Sequence, residues 1–561
     1  MRPERQLLRE IMKYIYPLKI VLSEGTIENS QGLLKEKELQ IGLSERDTAI
    51  VKGPAFLVFD FGKEYSGGIR ILTYHVQGNK RVRLQFGESV TETCAELGEK
   101  NATNDHSLRD MAPELQDYSD MTFGGTGFRF LRLDVGEGTR LQLKSVVAAS
   151  DADERKEIGS FECDDPLVNE IWNTAAYTLR LCLKNGYFWD GVKRDRLVWI
   201  GDLYPEMKAA ACLYGNISET ENSLRFAREQ TPLPEWINDI PMYSMWWLTV
   251  LCENFRLGGD RAFAEAQLPY AEELLSLFEK NVDEEGNTLF GYNFIDWPTH
   301  YEPGGEPAKR LDELAGVNYL LRIALRKTQW LLREFGRDDG RCTRLIGKLS
   351  QSRRTAESYK QIAALGVWAG EKTEHNRALL LKGGAEGMST FMSYEILSAA
   401  GSFGEYDAAM KMLKDYYGGM LSLGATTFWE DFDLRWKKNA ARIDEIPGPG
   451  QKDVHGDYGA FCYKGFRHSL CHSWASGVIA YLSETVLGIR SEGIGFRKVR
   501  FEPHLSGLNY VKGVCPTPFG PVEAECRRTL NGRTEKHIRL PDGTTLLDES
   551  GKALSSATEA F

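Results

Sequence analysis

A chain of 561 residues is too long for one simple core, and its length predicts three or four domains. Its 42% hydrophobic and 27% charged residues are those of a globular protein rather than a disordered or fibrous one. A formal net charge of −11 without a concentrated basic patch argues against nucleic acid as a partner, and no segment reaches the ~20 apolar residues needed to span a bilayer.

The N-terminal segment MRPERQLLREIMKYIYPLKIVL is basic, but it has no long apolar run and no small-residue cleavage site, so no secretory signal is expected. The ten cysteines form no Cys-x-x-Cys pair and no cluster with zinc-ligand spacing. Together these predict reduced thiols, a cytoplasmic location and no metal centre; Cys462 and Cys471, the closest pair, are not expected to bridge.

From about residue 50 to 160 the pattern is that of strands. Ala55 to Phe61 is a strand-like run that Gly62 and the Gly67-Gly68 pair should break. Ile69 to Val76, Val82 to Phe86, Phe128 to Val135 and Leu141 to Val147 follow, largely with period two. Closely spaced strands with glycine turns predict a β-sandwich.

The period changes near residue 164. Asp164-Asp165-Pro166 opens a helix, with an acidic N-cap and a proline in the first turn. Leu167, Ile171, Trp172, Ala175 and Leu179 mark its apolar face, and Gly186 should end it. Helical patterns recur over Pro205–Tyr214, Met242–Phe255, Ala262–Phe278, Leu311–Phe335, Ala356–Leu365, Met392–Ala400, Tyr406–Tyr417 and Ser473–Val486. So many helices joined by polar loops suit an α/α barrel better than a small bundle, and no repeat of fixed period supports a solenoid. Short strands over Lys498–Phe501, Leu508–Val514, Val522–Cys526 and Lys536–Leu540 predict a compact C-terminal β domain, with a polar tail from about Ser550. The expected domains are therefore residues 1–160, 161–492 and 493–561.

Asp190-Gly-Val-Lys-Arg-Asp-Arg-Leu-Val-Trp-Ile-Gly-Asp202 holds three carboxylates, three basic residues and Trp199, with Trp189 just before it. Lying between helical stretches, after Gly186 and before Pro205, it reads as a loop at one mouth of the helical region. Its plain structural reading is Asp202 as a helix N-cap and the Arg/Asp pairs as surface ion pairs. Sugar chemistry gives a different reason for the mixture. Cleaving a glycosidic bond needs a carboxylic acid for the leaving oxygen, polar groups for hydroxyls and an aromatic face for the C–H side of the ring. Packed carboxylates raise one another's pKa, which keeps one of them protonated near neutral pH.

Glycoside hydrolysis needs a second carboxylate. Gly424 to Asp433 offers Glu430 beside Trp429, with Asp431 and Asp433 as competitors. Tyr243-Ser-Met-Trp-Trp247 and Phe294-Ile-Asp-Trp-Pro298 could line a sugar cleft through Trp247 and Trp297, or pack in a core. His472 precedes a helix, where a lone histidine is usually structural.

Taken together, these segments resemble the α-L-rhamnosidases of glycoside hydrolase family 78, from about residue 55 to about 527. Phe59-Asp-Phe-Gly-Lys-Glu-Tyr-Ser-Gly-Gly68 and Phe86-Gly-Glu88 resemble that family's β-sandwich ahead of its barrel. Asp190 to Asp202 resembles its Asp–Arg–acid–Trp–Gly-Asp signature, and Gly424-Ala-Thr-Thr-Phe-Trp-Glu430 the segment that carries its general base. Gly488-Ile489 and Pro516-Thr-Pro-Phe-Gly520 resemble the exit into its C-terminal β domain. The resemblance implies a multidomain α+β protein, a central (α/α)6 barrel flanked by N-terminal and C-terminal β-sandwich domains, and inverting hydrolysis. It puts Asp195 at the general acid and Glu430 at the general base. Asp190, Arg194, Trp199, Asp202 and His472 fall in the rhamnose pocket, and Trp247 and Trp297 on its walls. Many members carry glutamate at the acid position. Asp195 is one methylene shorter, a shift comparable to the ~1 Å misplacement that can cost about a hundredfold in rate. The Cys-Pro common after the first aspartate is replaced by Gly191-Val192.

On this reading Asp195 protonates the leaving oxygen, Glu430 activates water on the opposite face, and neither metal nor organic cofactor takes part. Inversion implies carboxyl groups roughly 6.5–9.5 Å apart, and retention ~5 Å. The expected partner is a carbohydrate, a rhamnoside, with no nucleic acid and no membrane; a homodimer is the oligomer left open. Two rivals stay beside it: a lyase or unsaturated-uronyl hydrolase on the same barrel, and a non-catalytic sugar-binding homologue.

Overall fold

The computed structural model describes residues 12–529, 531, 533–548 and 551–553. The expectations for the first eleven residues and for most of the polar tail lie outside these. The N-terminal part contains β1 (Lys13–Ile15), β2 (Lys19–Glu28), β3 (Ala49–Gln77), β4 (Val82–Gly87), the short helix α1 (Val90–Cys94), β5 (Asp110–Met111), β6 (Asp120–Val135) and β7 (Arg140–Ser150). The strands form one sheet in the order β1-β7-β3-β6-β4-β5, with β2 also on β3. β3 runs 29 residues without interruption, so the glycines expected to break it do something else. Gly62 and Gly67 lie at φ +88 and +138, and the register against β6 shifts between Asp60 and Tyr65. They let the strand bulge and bend. After the bend, Ala49 and Thr73 of β3 both pair with Leu143 of β7, and the sheet wraps around a core that includes Leu57, Phe59, Phe86, Phe128 and Leu131.

β8 (Ser160–Cys163) leads into α2 (Pro166–Cys182), the hairpin β9 (Leu183–Lys184) and β10 (Tyr187–Phe188), then α3 (Leu203–Tyr214), α4 (Ser218–Gln230), α5 (Pro241–Gly258), α6 (Arg261–Lys280), α7 (Pro307–Glu334), α8 (Gly340–Leu349), α9 (Lys360–Trp368), α10 (Glu374–Leu381), α11 (Ser393–Ser402) and α12 (Tyr406–Ser422). Two short pairs follow, β11 (Ala440–Ala441) with β12 (Lys452–Asp453) and β13 (Gly459–Ala460) with β14 (Tyr463–Lys464). The last helix, α13 (Val478–Tyr481), continues as a π-helical turn to Val486.

The start of α2 follows its sequence: Asp165 caps it by accepting from the Leu167 amide at 2.9 Å, and Pro166 fills the first turn. Its end does not. The helix stops at Cys182, and Asn185 and Gly186, both at positive φ, make the tight turn of the β9–β10 hairpin.

Helices α3, α5, α7, α9, α11 and α13 each pack on the next, and α13 packs back on α3, closing an inner ring; the even-numbered helices pack around its outside. Composition explains the sorting. α5 is apolar nearly all round and buried nearly all round, whereas α8 buries only Cys342, Leu345 and Leu349. The helices of the helical part that periodicity missed, α4, α8 and α10, are all outer ones with a narrow apolar stripe under a charged surface.

The chain ends in β15 (Ile489–Glu492), β16 (Lys498–Phe501), β17 (Tyr510–Thr517), β18 (Gly520–Arg528), β19 (Thr534–Arg539) and β20 (Thr545–Leu547). These form the sheets β15-β16-β20 and β19-β18-β17-β8. β8, ahead of the ring, thus pairs with β17, behind it, from Cys163 opposite Val511 to Ser160 opposite Val514. Phe161 of β8 stacks on Trp172 of α2, ring centres 5.4 Å apart. All ten cysteines are free, and no helix among the described residues is long and apolar enough to cross a membrane.

α11 carries a wholly buried carboxyl, Glu395, whose oxygens have no hydrogen-bond partner among the described residues. Burial pushes its pKa from 4.5 up to about 8, and Asp296 adds repulsion. Between those values the folded protein keeps a proton that the unfolded chain releases, so this group's contribution to stability falls as pH rises. Glu395→Gln should remove that slope. Denaturation of the two proteins should differ little near pH 5 and diverge toward pH 8, the variant becoming relatively more stable by on the order of a few kcal/mol. A difference that stays constant over that range would contradict the assignment.

Candidate active site

Residues 189–202, between β10 and α3, form no helix or strand. The chain turns there at Asp195 and Arg196, with φ +53 and +61. Two adjacent non-glycine residues in the left-handed region persist only where their surroundings enforce it. The enforcement comes from the N-terminal β part. The Gly127 amide donates to Val192 O at 2.9 Å, Ser107 Oγ to Lys193 O at 2.7 Å, and the Asp195 amide to His106 Nδ1 at 3.0 Å. In return Arg196 Nη1 donates to Gly125 O at 2.9 Å. Gly127 is needed for the close approach: a Cβ there would stand 2.5 Å from Val192 Cγ2.

Lys193 adds a buried anchor. Its ammonium lies 2.8 Å from Glu88 Oε2 and 3.1 Å from Glu92 Oε1, and it donates to the carbonyls of Phe466 at 3.0 Å and His468 at 2.5 Å. Glu88, Glu92 and His455 place donor atoms within 4.8 Å of one another, a set that could hold a cation. Here the lysine ammonium is that cation. His455 has both ring nitrogens engaged, Nδ1 with Ser89 Oγ at 2.8 Å and Nε2 with His468 O at 2.9 Å. Burial pushes Glu88 up to about 7 and holds His455 well below the ordinary histidine range.

A cavity of about 180 Å³ lies where the N-terminal ends of α3 and α5 meet the segments leading into α7 and α13. Asp190, Asp195, Asp202, Glu430 and His472 supply its polar lining. Trp199, Tyr243, Tyr292, Phe294, Trp297 and Trp474 supply rings, and Ile240 and Cys462 complete it. This is smaller than a typical pocket for a drug-sized ligand and suits a single sugar ring.

Arg194, its side chain 4% exposed, ties the acids together. Nη1 donates to Asp195 Oδ1 at 2.8 Å, Nη2 to Glu430 Oε1, and Nε to Arg467 O at 3.0 Å. Glu430 Oε2 also accepts from the Ser469 amide at 3.2 Å, and Glu88 accepts from the Leu470 amide at 2.6 Å. Asp190 Oδ1 accepts from the Leu197 amide at 2.8 Å, closing the loop on itself. His472 Nε2 stands 3.8, 3.9 and 3.8 Å from oxygens of Asp190, Asp202 and Glu430, and its Nδ1 has no hydrogen-bond partner among the described residues. Burial and the Arg194 charge hold this imidazole well below its usual pKa, in the neutral form. Burial, reinforced by neighbouring carboxylates, pushes Asp190 and Asp202 well above theirs. The site therefore offers carboxyls in unlike environments beside aromatic faces, the combination that can grip hydroxyls while moving protons.

Of the residues anticipated from sequence, Asp190, Asp195, Trp199, Asp202, Trp297, Glu430 and His472 meet at this cavity, with Arg194 bonded to two of them. Asp202 precedes α3 but makes no capping bond; Tyr243 Oη donates to its Oδ1 at 3.5 Å. Trp247 is the correction. It lies one turn beyond Tyr243 on α5, fully buried, its Nε1 donating to Leu224 O at 2.9 Å and its ring against Tyr270. A helical turn is 5.4 Å, enough to carry a ring from the cavity into the packing between helices. Asp433 caps a short 3-10 turn, accepting from the Arg435 amide at 2.9 Å, and Asp431 is absent from the lining. Tyr243, Phe294 and Trp474 belong to segments already marked, but the pattern did not say which member faced inward. Tyr292, Cys462 and His106 carried no signal.

Residues 156–325 match the family model described as the bacterial alpha-L-rhamnosidase 6 hairpin glycosidase domain. No curated protein sequence matches the chain. Among solved structures, the GH78 family rhamnosidase of Bacillus sp. GL1 is similar at TM-score 0.70 and 19% identity, covering 92% of this chain and 56% of that one. The α-L-rhamnosidase from Dictyoglumus thermophilum gives 0.71 and 17%, covering 95% and 58%. The rhamnosidase from Klebsiella oxytoca, solved with rhamnose bound, gives 0.63 and 19%, covering 84% and 95%. The chain thus spans a little over half the length of the first two, and the likeness to all three is one of fold.

The two tryptophans should behave differently on truncation. Trp247→Ala should cost about 3–5 kcal/mol of stability, read as a clear fall in melting temperature. Trp297→Ala, at the cavity rather than between helices, should leave the melt nearly unchanged. The reverse pattern would exchange their places.

Proposed function

We propose, from a central domain of the α-L-rhamnosidase six-hairpin type, that the protein is an inverting glycoside hydrolase. It releases terminal α-L-rhamnose from rhamnosides or rhamnose-containing oligosaccharides. The observation that carries this reading is the meeting of Asp195 and Glu430 on one buried guanidinium beside a cavity the size of one sugar ring. Asp195, protonated, donates to the glycosidic oxygen, while Glu430 takes a proton from the water that attacks the opposite face of the ring. Asp190 and Asp202, pushed toward their neutral forms, can both donate to and accept from ring hydroxyls. The aromatic lining suits the C–H face and methyl group of a deoxysugar.

The cavity chemistry supports this over uronate chemistry. No lysine or arginine is among the residues that line the cavity, and Arg194 turns each of its three nitrogens to a partner, the two acids and a carbonyl. A uronate carboxylate would meet four carboxyl groups and no free cation. The free cysteines support the cytoplasmic location read from the sequence.

Glu430→Gln should lower the turnover of an aryl α-L-rhamnoside, and Asp195→Asn that of an alkyl α-L-rhamnoside, each by about 10²–10⁴-fold with the fold retained. Near-wild-type turnover in either variant would remove that residue from its role. NMR of the first-formed sugar should show the β-anomer. The α-anomer would instead indicate retention, and calorimetric binding of rhamnose without any turnover would select a sugar-binding protein.

A further inference from the structure

We propose that His106, supplied by the N-terminal β part, is the positioning residue for the acid Asp195. The proposal rests on the hydrolase reading above. An aspartate has only two side-chain torsions, so its backbone largely decides where the carboxyl points. At Asp195 that backbone is unusual. The Arg196 amide donates to Arg194 O at 2.8 Å across Asp195, whose φ is +53. This is a three-residue turn of the rare positive-φ kind. Its central amide points outward, and His106 Nδ1 accepts it at 3.0 Å.

The same nitrogen lies 3.2 Å from Asp195 Oδ1. A ring nitrogen that accepts an amide proton carries no proton of its own, so the neutral ring keeps its proton on Nε2. His106 therefore holds Asp195 through its backbone amide, which fixes where the carboxyl can point. Arg194 Nη1, donating to the same Oδ1 at 2.8 Å, fixes the arm from the other direction.

The loop that carries His106 is itself built for the purpose. Asn104 Oδ1 accepts from the amides of Arg109 and Asp110, both at 3.1 Å, and Asn104 Nδ2 donates to Asp110 O at 3.1 Å. Ser107, the next residue, bonds to Thr126 Oγ1 at 2.9 Å and donates to Lys193 O at 2.7 Å. The His106 side chain is 40% exposed, so replacing it leaves no cavity in the core.

The test is a series of aryl α-L-rhamnosides whose leaving groups run from nitrophenol to phenol, with an alkyl rhamnoside at the far end. A good leaving group departs with little help from an acid, and a poor one does not. His106→Ala should keep kcat/KM within a few-fold of wild type on the nitrophenyl substrate and lose about a hundredfold on the alkyl one. His106→Asn, whose side-chain oxygen can still accept the Asp195 amide, should recover part of that loss. Melting curves should coincide for all three proteins. If His106→Ala fails to fold, the same comparison is made between His106→Asn and His106→Leu, which is close in volume but has no acceptor. Equal losses along the series, or none with poor leaving groups, would overturn the positioning role while leaving the hydrolase reading intact. A wild-type protein that cleaves no member of the series would overturn both.

Discussion

The site depends on one buried cation. The Arg194 guanidinium is out of water, and a buried charge is tolerable only when paired and hydrogen-bonded. Its partners, Asp195 and Glu430, come from the two ends of the helical ring, and Arg467 O fills the remaining place. The fork geometry of a guanidinium leaves little freedom in such an arrangement. It requires the 189–202 loop to enter on one side and the segments around Glu430 and Ser469 to enter on another. Much of the surrounding hydrogen bonding, from Lys193 with its two glutamates to the amides of Ser469 and Leu470, keeps those strands of chain in register.

The division of labour between the N-terminal β part and the helical ring follows. The ring contributes helix ends and aromatic surface, and most of the groups that would touch a sugar sit on or beside it. The N-terminal β part lines none of the cavity, yet it holds the loop through Gly127, Ser107 and His106 and anchors Lys193 through Glu88 and Glu92. Lys193 is the second buried cation of the system. A lysine on the neighbouring residue of the same loop gathers two carboxylates and two carbonyls there.

How much of this was legible in the chain depended on the range of the information. An inner helix such as α5 announces itself by a long apolar run and α7 by its length, while α4, α8 and α10 have too narrow a stripe to stand out from charged surface. Glycines were seen as stops, but Gly62 bends a strand and Gly186 turns a hairpin, because the pairing partners that decide between these outcomes lie far away in sequence. The charged segment Asp190–Asp202 was informative because its composition has few structural explanations. Within an aromatic segment, however, only packing distinguishes Tyr243 from Trp247. His106 could not be anticipated at all, since its meaning comes from a contact with Asp195, far away in the chain.

The pairing of β8 with β17 has a consequence for how the molecule assembles. The whole helical ring is threaded between two short strands that lie side by side, so it is a loop of roughly 350 residues closed by a ladder spanning Ser160–Cys163. The entropy of joining such distant ends grows only slowly with the length between them, but the contact is among the least local in the chain and is slow to find. The ring can build hairpin by hairpin from near neighbours, while its clasp must wait for the final strands. A nick or truncation within β17 would leave the helices their local partners yet unfasten the seam where the first and last of them meet.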